Sequence, residues 1–257
     1  MKNRFYITLF LCAFVCRLEA ASLKQSFDVK IGLFDAAKVD VFYDLKDSNY
    51  LFKSNISTSG MFDNFYSFKA EYVTSGIINK GNFITQDYHQ ATKSSAHLRT
   101  KRLIFDKNGR LTQRQSSKDQ DKKTVDIELP LKKTDIYDIQ SVLVMMIKQF
   151  GQTDSCEMNK TVFNGKKVYH IALKDEGRTF FNDKKVKISG DAHKCSAFIH
   201  QDDAQKGDLL WQVSAERAIV FYLMKDKKTG LVFVPKIEIG STPLGDLKAY
   251  LTDLTLE

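Results

Sequence analysis

The stretch DAHKCSAFIH, residues 191–200, brings together three side chains that could do chemistry: His193, Cys195 and His200. They could ligate a metal ion, or a histidine could serve as the base for a nucleophilic thiol. Alternatively, the cysteine could be half of a disulfide. The first two outcomes indicate a metalloprotein or an enzyme, whereas the third indicates a structural role.

The spacing argues against a metal site and against a nucleophile. A strand sends alternate side chains to opposite faces, so His193 and Cys195 share a face that His200 does not. A zinc site that adds Cys156 lacks the close paired spacings typical of such sites. A nucleophilic thiol needs a lowered pKa and an oriented base, and a nearby histidine is common by chance.

The N-terminus decides how many cysteines remain. Lys2 and Arg4 precede an apolar run that ends at Cys16, and the small residues Ala20 and Ala21 follow. This layout is typical of a secretory signal peptide, and the apolar run is too short to span a bilayer. We therefore expect residues 1–21 to be a signal peptide, and residues 22–257 to be a single exported β-rich domain.

Removal of the signal peptide leaves Cys156 and Cys195. Two cysteines in an oxidising compartment usually form one disulfide. The loop that this bond closes is long enough to contribute roughly 4 kcal/mol in the chain-entropy model. We therefore predict a Cys156–Cys195 disulfide.

Composition and motifs point away from most enzyme classes. The formal net charge is +8, carried largely by scattered lysine pairs that indicate a solvated rim or a weak attraction to anionic envelope surfaces. The sequence has no Gly-x-Ser-x-Gly elbow, no phosphate-binding glycine loop and no His-Glu-x-x-His. The carboxylate pairs Asp135/Asp138 and Asp202/Asp203 are interpreted as a helix N-terminus and a polar turn. We expect no catalytic residue, metal ion, cofactor, nucleic-acid partner or later transmembrane segment.

Most of the chain alternates apolar and polar residues with the period of a β-strand, as at Val39, Val41 and Tyr43. Asn108-Gly109 and Asn164-Gly165 predict two hairpins. Residues 218–239 predict a third hairpin, in which Pro235 indicates an edge or a bulge.

One segment, TDIYDIQSVLVMMIKQFG, has helical spacing. Apolar residues recur at steps of three and four, and predict a helix over about 135–150 that is capped by Thr134 or Asp135 and closed by Gly151. A second, short helix is a further expectation over about 61–73. The simplest assembly is a mainly β fold in which one antiparallel sheet curls around the apolar helix.

The Asn164-Gly165 turn also predicts a register. A two-residue loop sets Cys156 opposite Leu173 and places Cys156 on the apolar face of the hairpin. His170 then lies on the opposite, exposed face. This placement of Cys156 agrees with an inward-facing disulfide.

Several of these segments resemble those of a known family. The segments are FDVKIGLFDAAKVDVFYDL, TSGIINKGNFITQDY, the TDIYDIQSVLVMMI helix, VFNGKKVYHIAL and the tail that begins at Trp211. Together they resemble the exported bacterial family labelled domain of unknown function 3108, found mostly in Gram-negative envelopes; NFITQDY departs from its pattern by lacking a proline. The resemblance implies a periplasmic protein with a strongly curved antiparallel sheet, an open barrel plugged by the helix. It implies no reaction and no catalytic residues.

These observations lead to three hypotheses for function. The first is a non-enzymatic envelope protein that binds a lipid, a lipoprotein segment or a partner in its curved sheet, with Trp211, Phe221, Leu223, Met145 and Met146 as candidate ligand-binding residues. Ordinary core packing is the alternative for each of these side chains. The second is a protein–protein scaffold that uses exposed strand edges such as residues 247–257, and the third is a hydrolase-type enzyme.

Overall fold

The computed structural model describes residues 21–119, 121–126, 136–164, 167–201, 218–242 and 245–256. Five features of the sequence lie outside these ranges: residues 1–20 of the expected signal peptide, Thr134, Asp135, the Asp202/Asp203 pair and Trp211.

The described residues form a mainly β protein, as predicted. The strands β1–β8 are Ala21–Ile31, Phe34–Leu45, Asn49–Thr58, Phe68–Asn79, Asn82–Ser94, Leu98–Phe105, Leu111–Lys118 and Asp121–Asp126. The strands β9–β16 are Ile136–Tyr137, Met158–Phe163, Val168–Asp183, Val186–Gln201, Ile219–Lys225, Val232–Phe233, Lys236–Thr242 and Gly245–Leu256. Helix α1 (Gly60–Phe65) follows β3, and helix α2 (Ile139–Thr153) follows β9.

The strands make one large sheet that does not close into a barrel. Its order is β8-β7-β6-β5-β4-β3-β2-β1-β16-β15-β13-β12-β11-β10-β9, with β14 paired to β13. Neighbours are antiparallel throughout the described sheet, except that β9 runs parallel to β10. The predicted open barrel is confirmed, and β8 and β9 are its two unjoined ends.

Helix α2 lies inside this curved sheet. It contacts β3, β4 and β5 on one side and β10 and β14 on the other, strands that are far apart in the sheet order. Most of its side chains are buried, among them Val142, Met146 and Phe150. The sheet therefore wraps around the helix, as expected.

The helix fills one part of the barrel only. It begins at Asp138, beside the mid-strand residue Thr74 of β4, and runs towards Lys225 at the end of β13. We call the part of the barrel along residues 140–153 the plugged half. The part between Asp138 and the end that carries α1 and the β1–β2 turn is called the open half, and that end the α1 end.

The predicted limits of the long helix were wrong at both ends. Ile136 and Tyr137 pair with β10 as strand β9, so the helix cannot start before Asp138. The Asp138 carboxylate accepts hydrogen bonds from the backbone N–H groups of Gln140 and Ser141, as an N-cap does. At the other end the helix continues past Gly151 to Thr153, because Asp154 takes the left-handed conformation that ends it.

The second predicted helix exists but is much shorter than expected. It ends at Phe65, and residues from Phe68 onward belong to β4. Strand β4 is hydrogen-bonded to β3 on one side and to β5 on the other, and this two-sided ladder overrides the helical spacing of its aromatic residues.

The β10–β11 hairpin has the predicted faces but not the predicted register. Phe163 pairs with Val168 and Met158 pairs with Leu173, so four residues separate the strands instead of two. A shift of two residues leaves every side chain on its predicted face, because the period of a strand is two. Met158 and Leu173 are buried accordingly.

Three further predictions can be compared with the structure. The disulfide between Cys156 and Cys195 is present, and both residues are fully buried. The pairing of β13 slips by one residue between β14 and β15, which places the predicted bulge at Pro235. The expectation that the C-terminal strand offers an exposed edge was wrong over residues 247–250, because β16 pairs there with both β1 and β15. No helix in the described ranges is both long and apolar enough to cross a membrane.

Candidate functional site

A cavity of about 390 Å³ lies in the open half, between two apolar clusters. The smaller cluster consists of Tyr88, Leu103 and Leu111, with Tyr72, Phe105 and Phe163 packed against it. The main core contributes the facing wall, with Val162, Tyr169, Ile171 and Ile199. The cavity is therefore a gap between two apolar surfaces, which meet at Phe163.

Neighbouring strands position the first wall through their register. Tyr88 of β5 lies directly opposite Leu103 of β6, and Gln90 lies opposite both Lys101 and Tyr72. Directly paired residues send their side chains to the same face of a sheet. The period-two alternation of these strands therefore aims all five side chains into the barrel.

The floor of the cavity is the start of α2, where Asp138 and Ile139 reach the lining. The Asp138 carboxylate is fully buried and accepts hydrogen bonds from the hydroxyl groups of Thr74 at 2.9 Å and Thr85 at 3.1 Å. The Ser141 hydroxyl donates to it as well. Burial raises the pKa of Asp138 above its ordinary value, while these hydrogen bonds act in the opposite direction.

Tyr50 joins this polar floor from β3. Its hydroxyl lies 2.8 Å from the Ser141 Oγ, and burial, assisted by the charge of Asp138, raises its pKa to about 12. Gly76 makes room for the ring, because a Cβ at this position would lie 2.6 Å from Tyr50 Cε1 and 2.4 Å from the Ile84 carbonyl oxygen. The network fixes the N-terminus of α2 to the sheet, and so sets the depth of the cavity.

Lys101 crosses the cavity from β6. Its Nζ donates to the carbonyl oxygen of Asn164, in the β10–β11 turn, at 3.3 Å. Burial lowers the pKa of Lys101, and the nearby positive charge of Arg114 lowers it further. Burial raises the pKa of Tyr72 and Tyr88, so that both hydroxyls stay neutral. The site thus offers apolar walls, neutral hydroxyl groups and one partly desolvated cation.

The structure places four of the five predicted ligand-binding residues away from this cavity. Met145, Met146, Phe221 and Leu223 are buried members of the main core around α2, which is the alternative weighed for each of them. Leu223 also borders a more open cavity of about 850 Å³ at the C-terminal end of α2. The charged residues of that second cavity, including Arg178, Asp191 and Lys227, make it less suited to an apolar ligand.

His193, Cys195 and His200 of the DAHKCSAFIH motif each have different partners in the structure. Cys195 is in the disulfide, and His193 Nδ1 lies 3.5 Å from Asp175 Oδ1, with its ring edge-on to Phe150. His200 pairs with His170 across the ladder, beside an outer groove. Across the residues that the structure places, no group of three histidine, cysteine or carboxylate side chains could hold a metal ion.

Sequence reasoning missed the cavity residues Tyr72, Tyr88, Lys101 and Ile139. The available signal was the alternation in HLRTKRLIF, which puts Arg99, Lys101 and Leu103 on one face. Leu103 and Lys101 both face inward and are two positions apart, so the sequence predicts that the surroundings of this strand change from apolar core to a polar cavity.

The fold is shared with a solved structure. A beta-barrel-like protein of domain of unknown function DUF1849 from Brucella abortus superposes with a TM-score of 0.56 at 9% sequence identity, covering 93% of this chain and 98% of that chain. This similarity concerns the fold alone. No curated protein matches the chain.

One family model also matches, described as protein of unknown function (DUF3108), and it covers residues 26–252. This match spans the strands of both halves and the plugging helix, and it confirms the resemblance seen in the sequence. The chain belongs to the DUF3108 family of proteins of unknown function.

Proposed function

We propose that this protein is a non-enzymatic binding protein of the bacterial envelope that holds an apolar molecule, such as a lipid chain, in the open half of its barrel. An exported, periplasmic location suits the Cys156–Cys195 disulfide, because such bonds persist in oxidising compartments.

The observation that carries the proposal is the gap between the two apolar clusters. Protein interiors are normally close-packed, and apolar walls that are separated by a gap forfeit dispersion contacts across it. The gap of about 390 Å³ lies at the lower end of the sizes of small-molecule pockets, and suits one chain better than several.

The mechanism is burial. Each methylene group of a ligand that leaves water for an apolar site contributes about 0.8 kcal/mol, so even a short alkyl chain gains several kcal/mol. The walls supply this environment without moving, because both are built on strands held by their ladders. The neutral hydroxyl groups of Tyr72 and Tyr88 can accommodate a polar atom of the ligand.

Lipid analysis of the native protein tests the proposal. Protein purified under native conditions is extracted and analysed by mass spectrometry, and the wild type is expected to carry apolar molecules. Ile139 is 38% exposed on α2 and forms part of the floor, so Ile139→Trp fills the cavity from a position that is not core. We expect this variant to lose most of the bound material.

Leu143→Trp is the matched control. Leu143 lies one turn further along α2 and is 37% exposed, but it does not line the cavity. It should retain the ligand. A wild-type protein that stays free of lipid after incubation with envelope lipids would contradict the proposal.

A further inference from the structure

A third cavity, which is strongly basic, lies on the concave face of the sheet beside the apolar one. It measures about 530 Å³ and is formed by β5–β8. Its lining includes four cations and, among the residues placed there, one carboxylate, Asp121. The cations are Arg99, Lys101, Lys118 and Lys123.

The ladder arranges these charges in two neighbouring rows. Arg99 lies opposite Lys118, which lies opposite Asp121. In the other row, Lys101 lies opposite Ser116, which lies opposite Lys123. Arg99 and Lys118 are directly paired, which places their Cβ atoms about 5 Å apart. Lys101 and Lys123 lie on either side of Ser116 in the next row, and their long side chains can reach the same anion.

The basic cavity adjoins the apolar one. Gln90 and Lys101 line both, and Lys101 lies at the border between them. Along β6 the inward-facing residues change from Leu103, which is fully buried, through Lys101 to Arg99 at the α1 end. The site therefore has an apolar depth and a cationic entrance.

We propose that the ligand is a single-chain amphiphile with an anionic oxygen headgroup, a carboxylate or a phosphate. This inference rests on the proposed function and specifies its ligand. The alkyl chain of the ligand lies between the two apolar clusters. Its headgroup lies at the two rows of cations, next to Lys101.

Two features fix this orientation. Among the described lining residues of the apolar cavity, Lys101 at the entrance is the only cation, whereas Asp138 and Ile139 at the floor offer an anion no positive charge. At the entrance, Lys101 makes one hydrogen bond to a described residue, Asn164, while an ammonium group can donate three. A lysine that is half withdrawn from water gains more from an anionic partner than a fully hydrated one.

Four ligands with the same ten-carbon chain test the headgroup: decanoate, decyl phosphate, decanol and decyltrimethylammonium. Their dissociation constants for the full-length exported protein are measured by calorimetry at low salt. We expect the two anions to bind at least about tenfold more tightly than decanol, and the cation to bind most weakly. Added salt should weaken the anions and leave decanol unchanged.

Three lysine variants locate the headgroup. Lys101→Gln should weaken both anions about tenfold and leave decanol within about twofold. Lys123→Gln should weaken them about threefold. Lys122→Gln is the matched control, because Lys122 is the neighbour of Lys123 on the opposite face of β8, and it should change nothing. The exposed Lys123 keeps the test valid if Lys101→Gln destabilises the fold.

The outcomes separate the two proposals. Equal affinity for all four ligands would overturn the anionic headgroup while supporting an apolar pocket, and failure of all four to bind would overturn both. Equal losses in Lys123→Gln and Lys122→Gln would also overturn the headgroup site. A preference for decyl phosphate over decanoate would indicate phospholipids as the source, and equal binding of the two would indicate fatty acids.

Discussion

The two halves of the barrel share one sheet but are filled differently. In the plugged half, the inward face of the sheet carries Leu223, which is buried in the same core as Phe150 of α2. In the open half the same face carries Tyr72, Gln90 and Lys101, and they surround a cavity instead of a helix. The difference shows that the curved sheet creates an interior in both halves. The types of the inward-facing residues decide whether that interior is packed as a core or left as a binding cavity.

The boundary between the halves is polar. Asp138, Thr74 and Thr85 meet where the helix begins, deep inside the barrel. A buried carboxylate requires several donors to be tolerated, and this requirement ties the start of α2 to one position in the sheet. The cavity exists because the helix is held there and does not extend towards the α1 end.

The largest expected effect is removal of the disulfide in the plugged half. The double variant Cys156→Ala/Cys195→Ala frees a 39-residue loop in the unfolded chain, and should lower the free energy of unfolding by roughly 4 kcal/mol. Urea denaturation of the oxidised wild type and the variant measures this loss. Decanol binding should survive under native conditions, because neither cysteine lines the cavity. A loss below about 1 kcal/mol would show that the bond does not hold the plugged half together.

The next effect compares a buried and a partly exposed leucine within the plugged half. Leu223 is fully buried in the plugged half, so Leu223→Ala should cost about 3 kcal/mol through lost burial and the cavity it leaves. Leu143→Ala, on the exposed strip of α2, should cost well under half as much. Thermal and urea unfolding of both variants measure the difference. Equal losses would mean that Leu143 is packed as closely as Leu223, and would contradict an exposed strip on α2.

The sequence predicted what depends on local periodicity. The strand pattern, the existence of the long helix, the burial of Cys156 and the bulge at Pro235 follow from periods of two and 3.6 and from the missing N–H of proline. Even the wrong register of the β10–β11 hairpin kept its faces, since an error of two residues leaves the side-chain alternation unchanged.

What the sequence could not predict depends on contacts between distant segments. Asp138 was interpreted as one of two acids near a helix N-terminus, and its selection as the N-cap depends on Thr74 and Thr85 from other strands. The cavity brings Tyr72 of β4 near Tyr169 of β11, and no local pattern indicates that these strands face each other. The curvature of the sheet brings them together.

Asp138 at the polar boundary should make the free energy of unfolding depend on pH. Burial raises the folded-state pKa of Asp138 above the ordinary 3.8, so the folded protein keeps this proton over a pH range in which the unfolded chain has lost it. Its contribution to stability is therefore greatest at low pH and declines as the pH rises. Asp138→Asn should be destabilised most near pH 4, and the gap to the wild type should narrow towards pH 7.

Asp175 in the plugged half serves as the comparison, because its pKa is shifted in the opposite direction. Burial acts to raise its pKa, but hydrogen bonds from the backbone N–H of Gly177 and other donors outweigh it, and the pKa is lowered. Its contribution is fully present above the ordinary pKa of 3.8 and is lost as the pH falls below that value, so the gap between Asp175→Asn and the wild type should shrink as the pH falls from about 4 to about 2. Urea unfolding of Asp138→Asn from about pH 4 to pH 7, and of Asp175→Asn from about pH 4 to pH 2, gives the two slopes. Slopes of the same sign would contradict the opposed environments of the two carboxylates.

The smallest effect lies at the far end of α2, in the plugged half. Lys225 Nζ donates to the carbonyl oxygen of Gly151 at 2.9 Å and pairs with Asp154, which places a cation where the helix dipole is negative. Lys225→Met keeps the apolar stem near the Phe150 ring but removes the charge. A small loss of stability is expected at low salt, and it should disappear near about 1 M salt because the pair is partly exposed. Lys227→Met, in the adjacent turn, should change nothing at either salt concentration, and an equal loss there would assign the effect to net charge instead of to the helix end.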